Sequence, residues 1–102
     1  MNREHERNEG SELDRIIHEP SRLKIIAQLY VVESADYTFL MKQLDFTWGN
    51  LSSHIAKLEN AGYIEVTKEF VNKKPLSTVK LTKEGRRAFE QYRENIKQML
   101  DV

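Results

Sequence analysis

Apolar residues recur every three or four positions between Thr47 and Gly62, which is the spacing of one helical face. The residues of this stripe are Leu51, Ile55 and Leu58. Thr47 is a good N-cap, and Gly62 is a good residue to stop a helix. If Gly62 closes a Schellman turn, Tyr63 contacts the last apolar residue of the stripe. The sequence therefore predicts one bounded helix over about residues 47–61.

A shorter helix is predicted immediately before this one. Thr38 can cap it, and its apolar residues are Phe39, Leu40, Met41 and Leu44. Only Asp45 and Phe46 separate its end from Thr47, so a tight turn joins the two helices. The pattern is that of a helix-turn-helix.

After Gly62, two runs alternate apolar and polar residues as half-buried strands do. The inward residues are Ile64, Val66 and Phe70 in the first run and Val79 and Leu81 in the second. Lys68 is an exception to the alternation. The runs are separated by Asn72, Lys73, Lys74 and Pro75. We expect a β-hairpin over about residues 63–82 with a lysine tip, which is either a solvated turn or, next to a helix-turn-helix, a phosphate contact.

The first part of the chain is predicted to contain a tail and two helices. Residues 1–11 are almost wholly polar and should form a flexible tail. Leu13, Ile16 and Ile17 predict a short helix that ends near Pro20. Pro20 is well placed to begin a central core helix whose apolar residues are Leu23, Ile25, Ile26, Leu29 and Tyr30. Residues 33–37 break this pattern, with a few extended residues near Tyr37.

A last helix is predicted over about residues 83–100, with Thr82 as its cap and Glu84 in its first turn. A narrow apolar seam follows steps of three and four, formed by Phe89, Tyr92, Ile96 and Met99. This helix would be roughly 27 Å long, which is too long for so small a domain to cover. We expect the same helix of a second chain to cover the seam, with Leu13, Ile16 and Ile17 beside it. The alternative is that the helix folds back on its own domain.

Composition limits these expectations. The chain has 102 residues, of which 39% are hydrophobic, so residues 12–102 should form a single domain with a small core. Sixteen basic and sixteen acidic residues give zero net charge, so a nucleic-acid interpretation must rest on local charge. There is no cysteine, no apolar run near the roughly 20 residues of a membrane span, and no signal-peptide core. We expect a cytoplasmic protein without membrane contact.

Several motifs carry a resemblance to a known family. They are I-H-E-P-S-R-L-K-I-I at 17–26, F-L-M-K-Q-L at 39–44, T-W-G-N-L-S-S-H-I-A-K-L-E-N-A-G-Y-I at 47–64 and L-T-K-E-G at 81–85. Over residues 13–100 the chain resembles winged helix-turn-helix transcriptional regulators of the MarR and ArsR type, especially the short archaeal and bacterial ones. The resemblance implies a mainly α fold with a small β-hairpin (α+β) and a C-terminal dimerisation helix. It also implies a homodimer that places paired recognition helices in successive major grooves of double-stranded DNA, with its wings along the flanking backbone or minor groove.

Candidate DNA contacts follow from this arrangement. Asn50 and Ser53 are short polar residues near the start of the recognition helix, where base edges are usually read. Lys57 and the hairpin lysines should contact phosphates. The full predicted set is Thr47, Gly49, Asn50, Ser52, Ser53, His54, Lys57, Lys73 and Lys74. His54 is either a phosphate contact or an ordinary surface histidine, and we interpret Trp48 as a packing residue.

Catalysis and metal binding are not indicated. Ser52 and His54 diverge by about 200° around one helix, so they cannot form a catalytic dyad, and we predict no enzyme activity. His5, His18 and His54 lie far apart without ligand spacing, so no metal site and no cofactor are predicted. MarR relatives often bind phenolic ligands between their dimerisation and DNA-binding parts. The sequence gives no indication of such an effector here.

A different function is a winged helix that binds another protein and no DNA. The zero net charge and the acidic N-terminal region suit that alternative. However, Lys57, Lys73, Lys74 and Lys80 are predicted to project from one side with few acidic residues between them. This asymmetry favours DNA, so sequence-specific DNA binding by a dimeric regulator is the preferred hypothesis.

Overall fold

The computed structural model describes residues 13–101, which form four helices and a three-stranded sheet. In chain order the elements are α1 Pro20–Val32, β1 Ser34–Asp36, α2 Tyr37–Leu44, α3 Trp48–Asn60, β2 Ile64–Val71, β3 Lys74–Leu81 and α4 Lys83–Leu100. This order confirms the predicted α+β winged helix. The predicted tail over residues 1–11 and His5 lie outside the described residues.

The sheet is antiparallel with the strand order β1-β3-β2. β2 and β3 pair along their whole length, from Ile64 opposite Leu81 to Val71 opposite Lys74. β1 is the segment for which the sequence predicted only a few extended residues, and it pairs with residues 78–80 of β3. The outer half of the hairpin therefore has no third strand beside it and stands out from the body as a wing.

Both ends of α3 are fixed as the sequence predicts. The Thr47 hydroxyl accepts a hydrogen bond from a backbone N–H in the first turn. At the other end the Tyr63 N–H donates to the Leu58 carbonyl at 3.0 Å. The Gly62 N–H donates to the Glu59 carbonyl at 2.9 Å, and Gly62 has φ +83°. These two bonds and the left-handed glycine make up a Schellman turn, which confirms the predicted stop.

The start of α2 differs from the prediction. Asp36 is its N-cap and accepts a hydrogen bond from the Phe39 N–H at 2.7 Å. Thr38 lies inside the helix and is exposed. The reason is that pairing with β3 holds Asp36 extended at the end of β1, which is the conformation a capping residue needs.

The predicted N-terminal helix is absent from the described residues. Residues 13–19 form turns instead, in which the Asp14 carboxylate accepts hydrogen bonds from the N–H groups of Ile16 and Ile17 at 2.8 and 3.1 Å. An aspartate that bonds nearby backbone in this way competes with a helix, and so short a segment cannot nucleate one alone. The turns nevertheless place Ile17 fully inside the core.

A single core joins the sheet to all four helices. Its buried residues are Ile17, Ile25, Ile26, Leu29, Leu40, Leu51, Ile55, Leu58, Ile64, Val79, Leu81, Phe89 and Tyr92. They include three of the predicted apolar residues of α1, the whole apolar stripe of α3 and the two inward residues of β3. The other two predicted residues of α1, Leu23 and Tyr30, are partly buried and pack against this core. None of the described helices is long and apolar enough to span a membrane.

The start of α4 is anchored to the end of α3. Thr82 caps α4 as predicted, and its hydroxyl also donates to the Gly62 carbonyl at 2.7 Å. The Thr82 N–H donates to the Tyr63 carbonyl at 3.1 Å. Gly85 packs so closely that a Cβ there would lie 2.0 Å from the Tyr63 carbonyl oxygen. The two helix ends are therefore joined backbone to backbone.

Candidate nucleic-acid interface

One face of α3 is at the surface because the opposite stripe is buried. The exposed predicted residues are Thr47, Gly49, Asn50, Ser53 and Lys57. The Thr47 hydroxyl accepts from the backbone N–H of Asn50 at 3.1 Å, which fixes the start of this face. No heavy atom lies within 4 Å of a Cβ built on Gly49. Packing within the chain therefore does not require glycine there, and the backbone is open to close approach from outside.

Ser52 and His54 lie on opposite flanks of this face. Ser52 is half-buried and borders a groove between α3 and β2 that also contains Lys68 and Glu59. His54 turns toward the start of α1, where its Nδ1 lies 3.2 Å from a guanidinium nitrogen of Arg22. The structure therefore places His54 against the protein body and apart from Asn50 and Ser53, while Ser52 faces the wing.

The contacts of His54 form a small polar cluster. Its Nδ1 is 3.8 Å from the carboxylate of Glu19, which also accepts a hydrogen bond from the Arg22 N–H at 2.8 Å. Burial raises the pKa of Glu19, but the Arg22 N–H and the charges of His54 and Arg22 outweigh it, so the pKa lies below its usual value. The cluster links α3 to α1 and gives the His54 side chain its partners within the chain.

The wing ends in a two-residue turn. Asn72 has φ 53° and Lys73 has φ 66°, the pair of positive values that defines a type I′ hairpin turn. Lys74 pairs with Val71 and belongs to β3 together with Pro75. The predicted four-residue tip is thus too long, because the type I′ turn closes the hairpin directly and leaves only Asn72 and Lys73 at its end.

Residues that pair across the hairpin share a side of the sheet. Ile64 and Val66 face the core, so Lys68 and Phe70 lie on the same side farther out. Phe70 is 76% exposed, so the prediction that it points into the core is wrong. The reason is that the hairpin extends past the helices before it reaches Phe70. Lys80, by contrast, pairs with Glu65 on the other side.

Lys68 and Trp48 are surface residues that the sequence-based prediction does not include in the interface. Lys68 borders the groove between α3 and the wing, and its signal was a charged residue at an apolar position of the strand. Trp48 is 61% exposed, so its interpretation as a packing residue is wrong. It is the first residue of α3 and projects over Tyr37 with ring centroids 6.2 Å apart. It borders a second groove between α2 and β3.

The predicted dimerisation residues divide into two groups. Ile17, Phe89 and Tyr92 are buried within the chain itself, and the Tyr92 hydroxyl is 2.8 Å from the Nδ1 of His18. Leu13, Ile16 and Ile96 are half-buried, whereas Met99 is 52% exposed. Leu100, which is not among the predicted residues, is 75% exposed beside it. The first half of the α4 seam is therefore folded back on its own domain, and only its last turns present an open apolar surface.

The residues that the structure describes contain no group of three histidine, aspartate or glutamate side chains that could hold a metal ion. His18 contacts Tyr92, and His54 contacts Arg22. His18 thus joins the N-terminal turns to α4, and His54 joins α3 to α1.

A helix-turn-helix with an exposed second helix, followed by a projecting hairpin, defines the winged-helix class of DNA-binding domains. Residues 21–100 match the family described as winged helix DNA-binding domain. The chain belongs to this family.

Individual proteins similar to this chain support the family assignment. Over 78 residues the chain is 36% identical to an uncharacterized protein of Methanocaldococcus jannaschii, covering 76% of this chain and 85% of that protein. The structure of a transcriptional regulator homologue from Pyrococcus horikoshii OT3 is similar with a TM-score of 0.81 and 31% identity, covering 86% and 87% of the two chains.

More distant structures share the fold alone. NadR in complex with 4-hydroxyphenylacetate has a TM-score of 0.70 at 24% identity, covering 85% of this chain and 61% of that one. Disulfide-formed AbfR has a TM-score of 0.74 at 18% identity, with 86% and 62% covered. This chain therefore spans about three fifths of each of those two proteins.

Proposed function

We propose that the protein is a dimeric transcriptional regulator that binds double-stranded DNA sequence-specifically. In this proposal α3 enters the major groove and the lysines of the wing contact the backbone. The observation that carries it is the exposed polar face of α3 beside a projecting, lysine-bearing hairpin. The Pyrococcus horikoshii protein, which is described as a transcriptional regulator homologue, supports the regulatory role.

The dimensions suit duplex DNA. α3 has 13 residues and is about 20 Å long. The diameter of an α-helix fits the major groove, which is roughly 12 Å wide. Four residue pairs of the wing lie beyond β1 and Thr78, from the Lys68–Ser77 pair to the Val71–Lys74 pair. At about 3.3 Å per residue they carry the tip roughly 13 Å outward, toward the flanking backbone.

A second copy would cover the open end of α4. Met99 and Leu100 are exposed there, and the half-buried Ile96 lies in the same helix. Leu13 and Ile16 add half-buried apolar surface from the N-terminal turns. A twofold dimer built on these residues would present two α3 helices to half-sites about 34 Å apart.

The first test concerns the wing lysines. We expect the protein to retard random-sequence duplex DNA at low salt and to lose affinity steeply as salt rises, because phosphate contacts release counterions. Lys73→Ala with Lys74→Ala should reduce the slope of log K against log salt by about 1.8, at 0.9 for each lost contact. Gel retardation at several salt concentrations measures this slope.

The control removes two lysines from α4, Lys83→Ala with Lys97→Ala, which lie away from the hairpin turn and should leave the slope unchanged. Equal slopes for both double variants would show that the wing does not touch phosphates. No retardation of the unmodified protein at low salt would favour the protein-binding alternative, for which the exposed Trp48 and Phe39 would be the contact residues.

The second test concerns sequence preference. On an operator selected from a random pool, Asn50→Ala should cost about 1–3 kcal/mol of binding free energy, because a lost base contact matters only where its base is present. On random DNA the same change should cost little. Asn60→Ala, at the far end of α3, serves as the control. Equal losses of binding free energy on both duplexes would show that Asn50 contacts the DNA backbone and not a base.

A further inference from the structure

The wing carries an exposed aromatic side chain that the fold does not use. Phe70 is 76% exposed and lies neither in the core nor among the residues packed against it. Its cross-strand partner is Pro75, in the part of β3 that β1 does not reach. A phenylalanine exposed to water at a projecting hairpin has no role in the stability of the described fold, and such a side chain indicates contact with a partner surface.

Basic residues precede and follow this side chain along the hairpin. Lys68 lies two residues earlier on the same side of the sheet, and Lys73 follows in the turn. Lys74 pairs with Val71 and is on the opposite side. Glu69 is on the opposite side, paired with Leu76. The type I′ turn fixes the backbone of the tip. An apolar group framed by cations matches a partner with phosphates on its rim and an apolar interior.

We propose that Phe70 is a wedge that enters the minor groove next to the major-groove site of α3 and partly unstacks one base step. This inference rests on the proposed DNA-binding function. Wedges of this kind bend the duplex toward the major groove.

The charges argue against a second copy of the chain as the occupant. Lys68 and Lys73 would meet the same two cations if two wings packed on each other through Phe70. The minor groove offers the opposite charge, and a flexible step such as TA opens at low cost.

The experiment compares two duplexes of about 30 base pairs with equal A·T content. One alternates adenine and thymine and so contains many TA steps, and the other is an uninterrupted A-tract, which is stiff and has none. Dyes at the two ends report bending by energy transfer. We expect the unmodified protein to bind the alternating duplex about tenfold more tightly than the A-tract and to shorten its end-to-end distance.

Phe70→Ala should lose both the preference and the bend, whereas Phe70→Leu, which keeps an apolar wedge, should retain much of each. Val71→Ala is the matched control, because Val71 is exposed on the opposite side of the same strand and should behave as the unmodified protein does. Thermal unfolding should be the same for all four proteins, since Phe70 is outside the core.

Results that contradict the wedge differ from results that contradict DNA binding. If the unmodified protein binds both duplexes alike without bending, or if Phe70→Ala keeps the preference, the wedge is wrong while DNA binding stands. Failure to bind either duplex at low salt overturns the proposed function and the wedge together. A change in sedimenting mass for Phe70→Ala would place this side chain between copies of the chain and overturn the wedge.

Discussion

Gly85→Ala is expected to lower the free energy of unfolding by about 3 kcal/mol or more. Alanine normally stabilises a helix relative to glycine by up to about 1 kcal/mol, so the expected sign is the reverse of the usual one. The reason is steric, because the new Cβ would lie 2.0 Å from the carbonyl oxygen of Tyr63 and 2.8 Å from its carbonyl carbon. Both are backbone atoms of the Schellman turn, so no side-chain rotation relieves the clash.

Gly49→Ala is the matched control. Gly49 also lies in the first turn of a helix, but a Cβ there meets no heavy atom within 4 Å. This change should raise the free energy of unfolding by about 0.5–1 kcal/mol. Urea unfolding of both variants measures the difference. If Gly85→Ala were as stable as Gly49→Ala, the close packing of α4 on Tyr63 would be incorrect.

Met99→Glu with Leu100→Glu is expected to convert the protein to monomers and to weaken binding to an operator with two half-sites by about 100-fold or more. Both side chains are exposed in the single chain, so the change should leave the fold of each subunit intact. A subunit without its partner loses the advantage of a second binding event on the same duplex, which accounts for the size of the effect.

A charge-matched control is available two residues earlier in α4. Lys97→Gln with Gln98→Glu alters the net charge by the same amount without replacing an apolar residue. It should remain dimeric and bind nearly as well. Sedimentation and gel retardation on duplexes with one and with two half-sites separate assembly from DNA contact. An unmodified protein that sediments as a monomer at tens of micromolar would refute the proposed dimer.

Local signals were sufficient for most of the fold. The cap at Thr47, the glycine at Gly62 and the apolar stripe between them predict α3 because each acts within a few residues. The same holds for α4, which begins at its Thr82 cap and ends at Leu100 as predicted. The polar face of α3 follows directly, since burial of one helical face leaves the other outside.

The prediction errors occur where the structure of a segment depends on residues that are distant in the sequence. Asp36 caps α2 only because β3 holds it extended, and this pairing is invisible to local spacing. Phe70 lies on the side of the strand that the alternation of apolar and polar residues predicts. The alternation alone does not show how far the hairpin extends beyond the helices. The spacing of Tyr92 predicts contact with a second chain, because spacing cannot show that α4 folds back on its own domain.

The joint between Gly62, Tyr63 and the start of α4 makes α3 and α4 mechanically one piece. Thr82 is bonded to both residues of the turn, and Gly85 leaves no gap behind Tyr63. In the proposed dimer, α3 would therefore move with α4, and a rotation of a subunit by about 10° about the far end of α4 would move the joint by roughly 5 Å over a helix of roughly 27 Å. The crossing angle of the two α4 helices would therefore set the separation of the two DNA-reading helices, and a small change at the far end of α4 would take them out of step with the helical repeat of DNA.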